Sequence, residues 1–410
     1  MVPGLALWLP SGYSYGAALL LLCALLGSPL WLRRSWLTPP AGWLMLSITV
    51  LGTVWLLDAS VAEGWRSLDK PSRYLMALPC LGFLMVFPPR PAAVFLGVAV
   101  GAGGAGLKAM QDVWLHGLDR AWSPPEALHN AIQYGNLSAL LGLMCWLMLL
   151  VHGGRWRVRT LVALGVCGWL GLLGSLLSQS RGGWLALAVS LPLWVWLASR
   201  WLPVRRMLQA GALMLVAVAV LGAFKAPEIQ RRFAEARAEA ALYQTQGDAH
   251  TSIGQRLDHW QLAWQMGLDK PLTGWGQAGY REEKKRRVAA GQAHPFVLEF
   301  GHAHNEVLDL FAKHGLLGVA ALLLFYGVPA WLFWPVPVRR RAAPEDTAVG
   351  VPDPTALALR LLGLSLPVLY AGFGLTQVFL AHNSGNLFYL FMTLLVFSAL
   401  RGHTDAHPAG

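Results

Sequence analysis

Residues 158–202 read VRTLVALGVCGWLGLLGSLLSQSRGGWLALAVSLPLWVWLASRWL. Two apolar runs, near 158–178 and 184–202, flank the hexapeptide Ser178-Gln179-Ser180-Arg181-Gly182-Gly183. Arg181 is the sole charge between Arg159 and Arg200. A helix needs about 20 apolar residues to cross the roughly 30 Å of bilayer hydrocarbon, and each run meets that length. This segment reads as two membrane spans joined by a short polar turn.

The same reading extends along the chain. Apolar runs recur near 16–32, 41–57, 74–89, 92–110, 131–151, 207–224, 315–334, 357–379 and 385–400, which brings the expected spans to eleven. Residues 1–15 are uncharged and belong either to a twelfth span or to an interfacial lead. No basic stretch precedes the first apolar run, so a cleavable signal peptide is not expected. The 410 residues are 55% hydrophobic and only 13% charged, against about a quarter charged in a soluble domain. Twenty tryptophans suit a chain with many membrane–water boundaries, where an indole buries its ring and keeps its N–H wet. A secreted, disordered or ordinary cytosolic protein is excluded, and the fold class is an all-α polytopic membrane protein of about 11–12 transmembrane helices. Cys23, Cys80, Cys145 and Cys167 all fall within apolar runs without metal-ligand spacing, and read as packing residues.

The formal charge of +11 is a topology signal. One set of connections holds Arg33, Arg34, Arg90, Arg155, Arg157, Arg159, Arg200, Arg205, Arg206, Arg339, Arg340, Arg341, Arg360 and Arg401, fourteen bases against four acids. The short connections of the other set carry six of each, and the long segment 225–314 carries twelve bases and eleven acids. The positive-inside rule assigns the arginine-rich face to the cytoplasm, and no nucleic-acid partner is implied. Segment 225–314 is then expected outside the cytoplasm, between N-terminal spans (1–224) and C-terminal spans with a cytoplasmic tail (315–410). Within it, Glu228–Tyr243 and Thr251–Met266 read as helices. PLTGWGQAGY (271–280) reads as a glycine-rich turn, and Asn305–Lys313 as an amphipathic helix leading into the next span. Ile253, Leu257, Trp260 and Trp264 mark the apolar face of the second helix. The GAGGAG run (101–106) permits close helix approach.

Ionisable residues at the rim of a membrane are expensive and need a reason. Arg181 follows the end of a span, beside two glycines. Arg256 lies in GQRLDHWQLAW, and Arg281 follows the glycine-rich turn. The run Lys284-Lys285-Arg286-Arg287 reads as a solvated face or a headgroup contact. His304 lies in GHAHNE (301–306), at or just before a helix start, where the amide ends tend to keep an imidazole neutral. His302, His304, Glu299 and Glu306 lack the spacing of a metal site, so no metal and no cofactor is expected. Arginines and a histidine together suit a lipid diphosphate and a hydroxyl nucleophile. The guanidinium fork binds phosphate oxygens, and a neutral histidine takes the proton.

At these residues the chain resembles the O-antigen ligase family of membrane glycosyltransferases. The family pattern is His, then Asn, Ser or Gln, nine residues, and Gly-x-x-Gly. It is matched by His304-Asn305 and Gly315-Leu316-Leu317-Gly318. Ser180-Arg181-Gly182 resembles the family's arginine at the outer end of a span, and Arg256, with Trp260 and Pro271–Gly276, its second arginine region. The likeness in element order covers 131–400. It implies a GT-C-type fold with one large periplasmic loop, in the inner membrane of a Gram-negative bacterium. It also implies inverting, metal-independent transfer of a glycan from undecaprenyl pyrophosphate to a sugar of lipid A–core. His304 would be the general base, Arg181 and Arg256 the pyrophosphate ligands, and Arg281, His302 and Asn305 their neighbours. The implied partners are the lipid-linked glycan donor, the lipid A–core acceptor and membrane lipids; nothing in the sequence compels more than a monomer. An O-antigen polymerase or a protein O-oligosaccharyltransferase would share the donor chemistry. A transporter of lipid-linked glycan is less favoured, since neither an internal repeat nor mid-bilayer charge is evident.

Overall fold

A computed structural model describes the chain except for residues 60, 123–129, 210, 213–230, 232–233, 235–237, 239–251, 336–352 and 407–410. The regular secondary structure of its described residues is helical, with no strand among them. The principal helices are α1 (Gly12–Leu26), α2 (Pro39–Asp58), α3 (Asp69–Val86), α4 (Pro91–Met110), α5 (Ala131–His152), α6 (Val158–Leu177) and α7 (Arg181–Trp201). They continue with α8 (Ser252–Asp269), α9 (Gly276–Ala289), α10 (Glu306–Phe333), α11 (Pro354–Gly374) and α12 (Asn383–Ala406). The protein is an all-α polytopic membrane protein.

Eight helices among the described residues are long and apolar enough to cross a membrane: α2, α4, α5, α6, α7, α10, α11 and α12. Two of the other expected spans appear as helices that fall short of that standard. At 15 residues α1 rises only about 22 Å, and α3 begins with the charged Asp69, Lys70 and Arg73. Most of the expected span 207–224, and most of the expected helix Glu228–Tyr243, lie outside the described residues.

Local chemistry explains several boundaries. Proline opens α2, α4 and α11, where its missing N–H costs nothing. Asn130 starts α5 by accepting from the Ile132 amide at 2.8 Å, and Asp353 caps α11 through the Ala356 amide at 3.0 Å.

The chain divides into two compact units. The first comprises Met1–Trp201, Leu323–Phe373 and Phe379–Gly410, and the second Leu202–Leu322 with Gly374–Val378. In the first unit α5, α11 and α12 bury 83% of their apolar windows and form the core, whereas α7 buries 28% and presents most of its surface outward. Lipid removes the hydrophobic drive between helices, so packing depends on close approach and internal hydrogen bonds. The glycine run of α4 serves this end: a Cβ on Gly106 would stand 2.3 Å from the Leu170 carbonyl oxygen of α6. Ser138 donates to the Gly171 carbonyl at 2.6 Å, and Asn386 donates to the Tyr74 hydroxyl at 3.1 Å. All four cysteines are free, in keeping with a packing role.

The second unit has its own small core of Leu262, Ala263, Met266, Tyr280, Phe296, Val297, Ala303 and Ala312. The face of α8 that packs into this core is not the apolar stripe noted in the sequence. The buried face of α8 carries His259, Leu262, Ala263 and Met266, while Trp264 is exposed and Leu257 and Trp260 are half-buried. The tryptophan stripe stays at the rim, where an amphipathic indole is tolerated.

Candidate functional site

The site in the second unit is built around Phe300–His304, a loop fixed by groups on neighbouring elements. Lys284, on α9, donates to the Phe300 carbonyl at 2.6 Å, and Lys313, on α10, donates to the Gly301 carbonyl at 2.9 Å. The Ala303 amide donates to Asp309 Oδ1 at 2.9 Å, and Lys313 also bridges to Asp309 Oδ2 at 2.8 Å. Asp309 and Lys313 are both buried, so the pair is hydrogen-bonded on each side, as a buried ion pair must be. Burial and the neighbouring Lys313 charge bring the Lys284 ammonium down to about 8.

His304 completes the loop at φ 54°, an uncommon conformation for a residue other than glycine. The turn directs its imidazole into a cluster with Phe300, His302 and His259, at ring-centroid separations of 4.7, 4.4 and 5.4 Å. Its Nδ1 lies 3.2 Å from Oε1 of Gln377, which is buried, and the Val378 amide donates to the same oxygen at 3.1 Å. An amide N–H must meet an acceptor, so the Val378 contact fixes which end of the Gln377 amide faces His304. His304 Nδ1 therefore carries the proton, and Nε2 keeps its lone pair. Burial and the nearby positive charge of Arg256 hold the imidazole down to about 4, against a smaller opposing effect of the Gln377 hydrogen bond.

The helix-end expectation needs revising at this point. Asn305, not His304, caps α10: its Oδ1 accepts from the Val307 and Leu308 amides, each at 3.1 Å, and its Nδ2 donates to the Leu375 carbonyl at 3.2 Å. Those amides are occupied, so burial and Arg256 are what keep His304 neutral.

The turn 271–275 locks the other end of this substructure. Gly274 and Gly315 both adopt positive φ, 65° and 61°. A Cβ on Gly274 would stand 2.3 Å from the Lys313 carbonyl carbon, and one on Gly315 would stand 2.3 Å from that of Leu272. The Leu316 amide donates to the Pro271 carbonyl at 2.7 Å, and that of Trp275 to Ala312 at 3.0 Å. The first glycine of the Gly-x-x-Gly pattern is thus a kink in α10. The second half of PLTGWGQAGY is not a turn, because α9 already begins at Gly276.

Among the other sequence candidates, Arg256 is half-buried on α8 and its charge reaches His304. His302 is half-buried beside His304, and Arg281 is exposed on α9. Arg181 belongs to the first unit, exposed at the start of α7. There Ser180 donates to Asn136 Oδ1 at 2.6 Å, and Gln179 donates to the Asp119 carbonyl at 2.8 Å. The basic run departs from expectation. Only Lys285 and Arg286 are exposed; Lys284 and Arg287 are buried, with Arg287 bonded to Glu283 at 2.7 Å and to Asp269.

Two residues of the cluster are absent from the sequence reading. Gln377 is 73 positions from His304 and has no local signal. His259 is wholly buried, and neither ring nitrogen has a hydrogen-bond partner among the described residues. Burial and the Lys284 charge bring it down to about 3. Its place one helical turn after Arg256 on α8 was its only trace in the sequence. No group of three or more His, Cys, Asp or Glu suited to a metal occurs among the described residues.

Fold and site together define a multi-pass membrane protein with a half-buried, neutral histidine at the head of a span. Residues 166–323 match the family profile described as O-antigen ligase. This stretch is similar to the O-antigen ligase family of membrane glycosyltransferases, in agreement with the resemblance read from the sequence. The match includes Arg181, Arg256, Arg281, His302, His304 and Asn305, while Gln377 lies beyond it. An uncharacterized protein of Haemophilus influenzae is 27% identical over 335 residues, covering 82% of this chain and 80% of its own.

Proposed function

We propose that the protein is an O-antigen ligase. It moves a finished glycan from undecaprenyl pyrophosphate to a sugar hydroxyl of lipid A–core, at the periplasmic face of a Gram-negative inner membrane. The observation that carries the chemistry is the Val378–Gln377–His304 relay of hydrogen bonds, which leaves His304 Nε2 as a lone-pair acceptor. In this reading His304 takes the acceptor hydroxyl's proton as the oxygen attacks the anomeric carbon. The bond to the diphosphate breaks on the opposite side, with inversion. The diphosphate departs with the electron pair, and positive charge stabilises it without a metal.

Arg256 is the pyrophosphate ligand best supported by position, because its charge already acts on His304. A diphosphate drawn to Arg256 cancels that charge and raises the His304 pKa from about 4 toward working pH. The base thus strengthens as the donor arrives. Arg181 as a further pyrophosphate ligand, and Arg281, His302 and Asn305 as neighbours, rest on the family pattern. Arginine excess on the connections opposite to 225–314 supports the sidedness.

The test is purified protein with undecaprenyl-pyrophosphate-linked glycan, EDTA, and either lipid A–core or a second lipid-linked glycan as acceptor. Glycosylated lipid A–core formed in the chelator is the expected product. Product on the second lipid-linked glycan alone would identify a polymerase, and transfer to neither would reject both the ligase and the polymerase. His304→Ala should abolish transfer, with a loss of about 10²–10⁴-fold, while donor binding persists.

A further inference from the structure

A groove of about 1370 Å³ runs along α4 and α6 within the first unit. It exceeds the roughly 300–1,000 Å³ of a pocket for a drug-sized molecule. Its walls are apolar through most of its length, with Phe95, Leu96, Val100 and Leu164 among them, and Lys108 and Gln111 stand at the far end. Arg90, Arg155 and Arg157 gather at the near end, where α4 and α6 both begin. Among the described residues, no carboxylate lines the groove. Lys108 is bonded to Asp112, and His403 to Asp353, so those two lining groups already have acidic partners. None of the three arginines forms an ion pair with a described carboxylate. Three cations without an ion-paired carboxylate among the described residues, beside two helix N-termini, make an end that favours an anion, and the apolar trough behind them favours hydrocarbon.

We propose that this groove holds one anionic glycerophospholipid, its phosphate on Arg90, Arg155 and Arg157 and its chains along the α4–α6 trough. Arg157 precedes α6 and Arg181 follows it. Twenty residues of helix, about 30 Å, separate the two ends. The lipid therefore belongs to the leaflet opposite the Arg181 rim, and the site is independent of the proposed transfer reaction.

The test is native mass spectrometry of the full-length protein titrated with equal phosphatidylglycerol and phosphatidylcholine. Selective retention of phosphatidylglycerol is expected, unaffected by millimolar inorganic phosphate. A surface arginine contributes about 1 kcal/mol toward an anionic lipid, about fivefold, so R90Q/R155Q/R157Q should lower retention roughly a hundredfold. Ala163→Trp fills the trough while keeping all three arginines, and should also release the lipid. Equal retention of both lipids by the native protein would overturn the proposal. So would undiminished phosphatidylglycerol binding in either variant, or displacement by phosphate alone, which would mark a bare ion site.

Discussion

His304 Nδ1 and Gln377 Oε1 lie 3.2 Å apart, and the acceptor character of that oxygen is set by the Val378 amide 3.1 Å away. The pair fixes both the tautomer and the orientation of the imidazole. Gln377→Leu removes the acceptor and should lower kcat by about 10–100-fold, the scale of a misplaced catalytic group, with little change in KM for the donor. Equal losses in kcat and donor binding would show a general structural effect instead. Gln377→Glu should retain the tautomer and raise the His304 pKa, because a carboxylate favours the imidazolium.

The pH profile tests the electrostatics. His304 acts as a base only when neutral, and its pKa of about 4 places the acid limb of kcat/KM for the free enzyme near that value, below the ordinary 6.5. Arg256→Gln removes a depressing charge and should move the limb upward. A limb that stays put in Arg256→Gln would remove Arg256 from the electrostatics of the base.

Stability should follow the same groups. His259 at about 3 and His304 at about 4 lie below the unfolded value near 6.5. Between these limits the unfolded chain binds more protons than the folded one, so stability falls with falling pH. Their contribution is complete above about 6.5 and is lost as pH drops through 4 and then 3. Thermal melts of the native protein and His259→Phe, recorded from about pH 7 to 4, should show a shallower acid loss in the variant.

The buried Asp309–Lys313 pair supports the loop from below. Lys313→Met leaves Asp309 buried without its cation and frees the Gly301 carbonyl, a change expected to cost about 3–5 kcal/mol. A melt displaced by less than about 1 kcal/mol would show that the loop does not depend on this pair.

Gly315→Ala introduces a Cβ at φ 61°, 2.3 Å from the Leu272 carbonyl carbon. The kink in α10 should open and separate the 271–275 turn from the helix. Destabilisation above the roughly 1 kcal/mol of an ordinary glycine-to-alanine strain is expected, along with loss of transfer. Gly301→Ala, where nothing lies within 4 Å of an added Cβ, is the matched control for added bulk.

The membrane character, most of the spans and the family pattern were legible in the chain, because lipid imposes a length and a polarity on every segment it surrounds. His304, Asn305 and the two glycines of the pattern were visible because they are close in sequence and their chemistry is local. Charge placement also gave the expected sidedness, since it is read from composition alone. Tertiary structure decided the rest. Gln377 is brought to His304 from 73 residues away. His259 gains its importance from being wholly buried beside that ring, and Lys284 and Arg287 turn inward from what looked like a solvated basic run. Periodicity along one helix ranks side chains by hydrophobicity, but burial depends on which surface a neighbouring helix covers. The state of a histidine likewise depends on charges and acceptors supplied by other elements, and these meet only when the chain has folded.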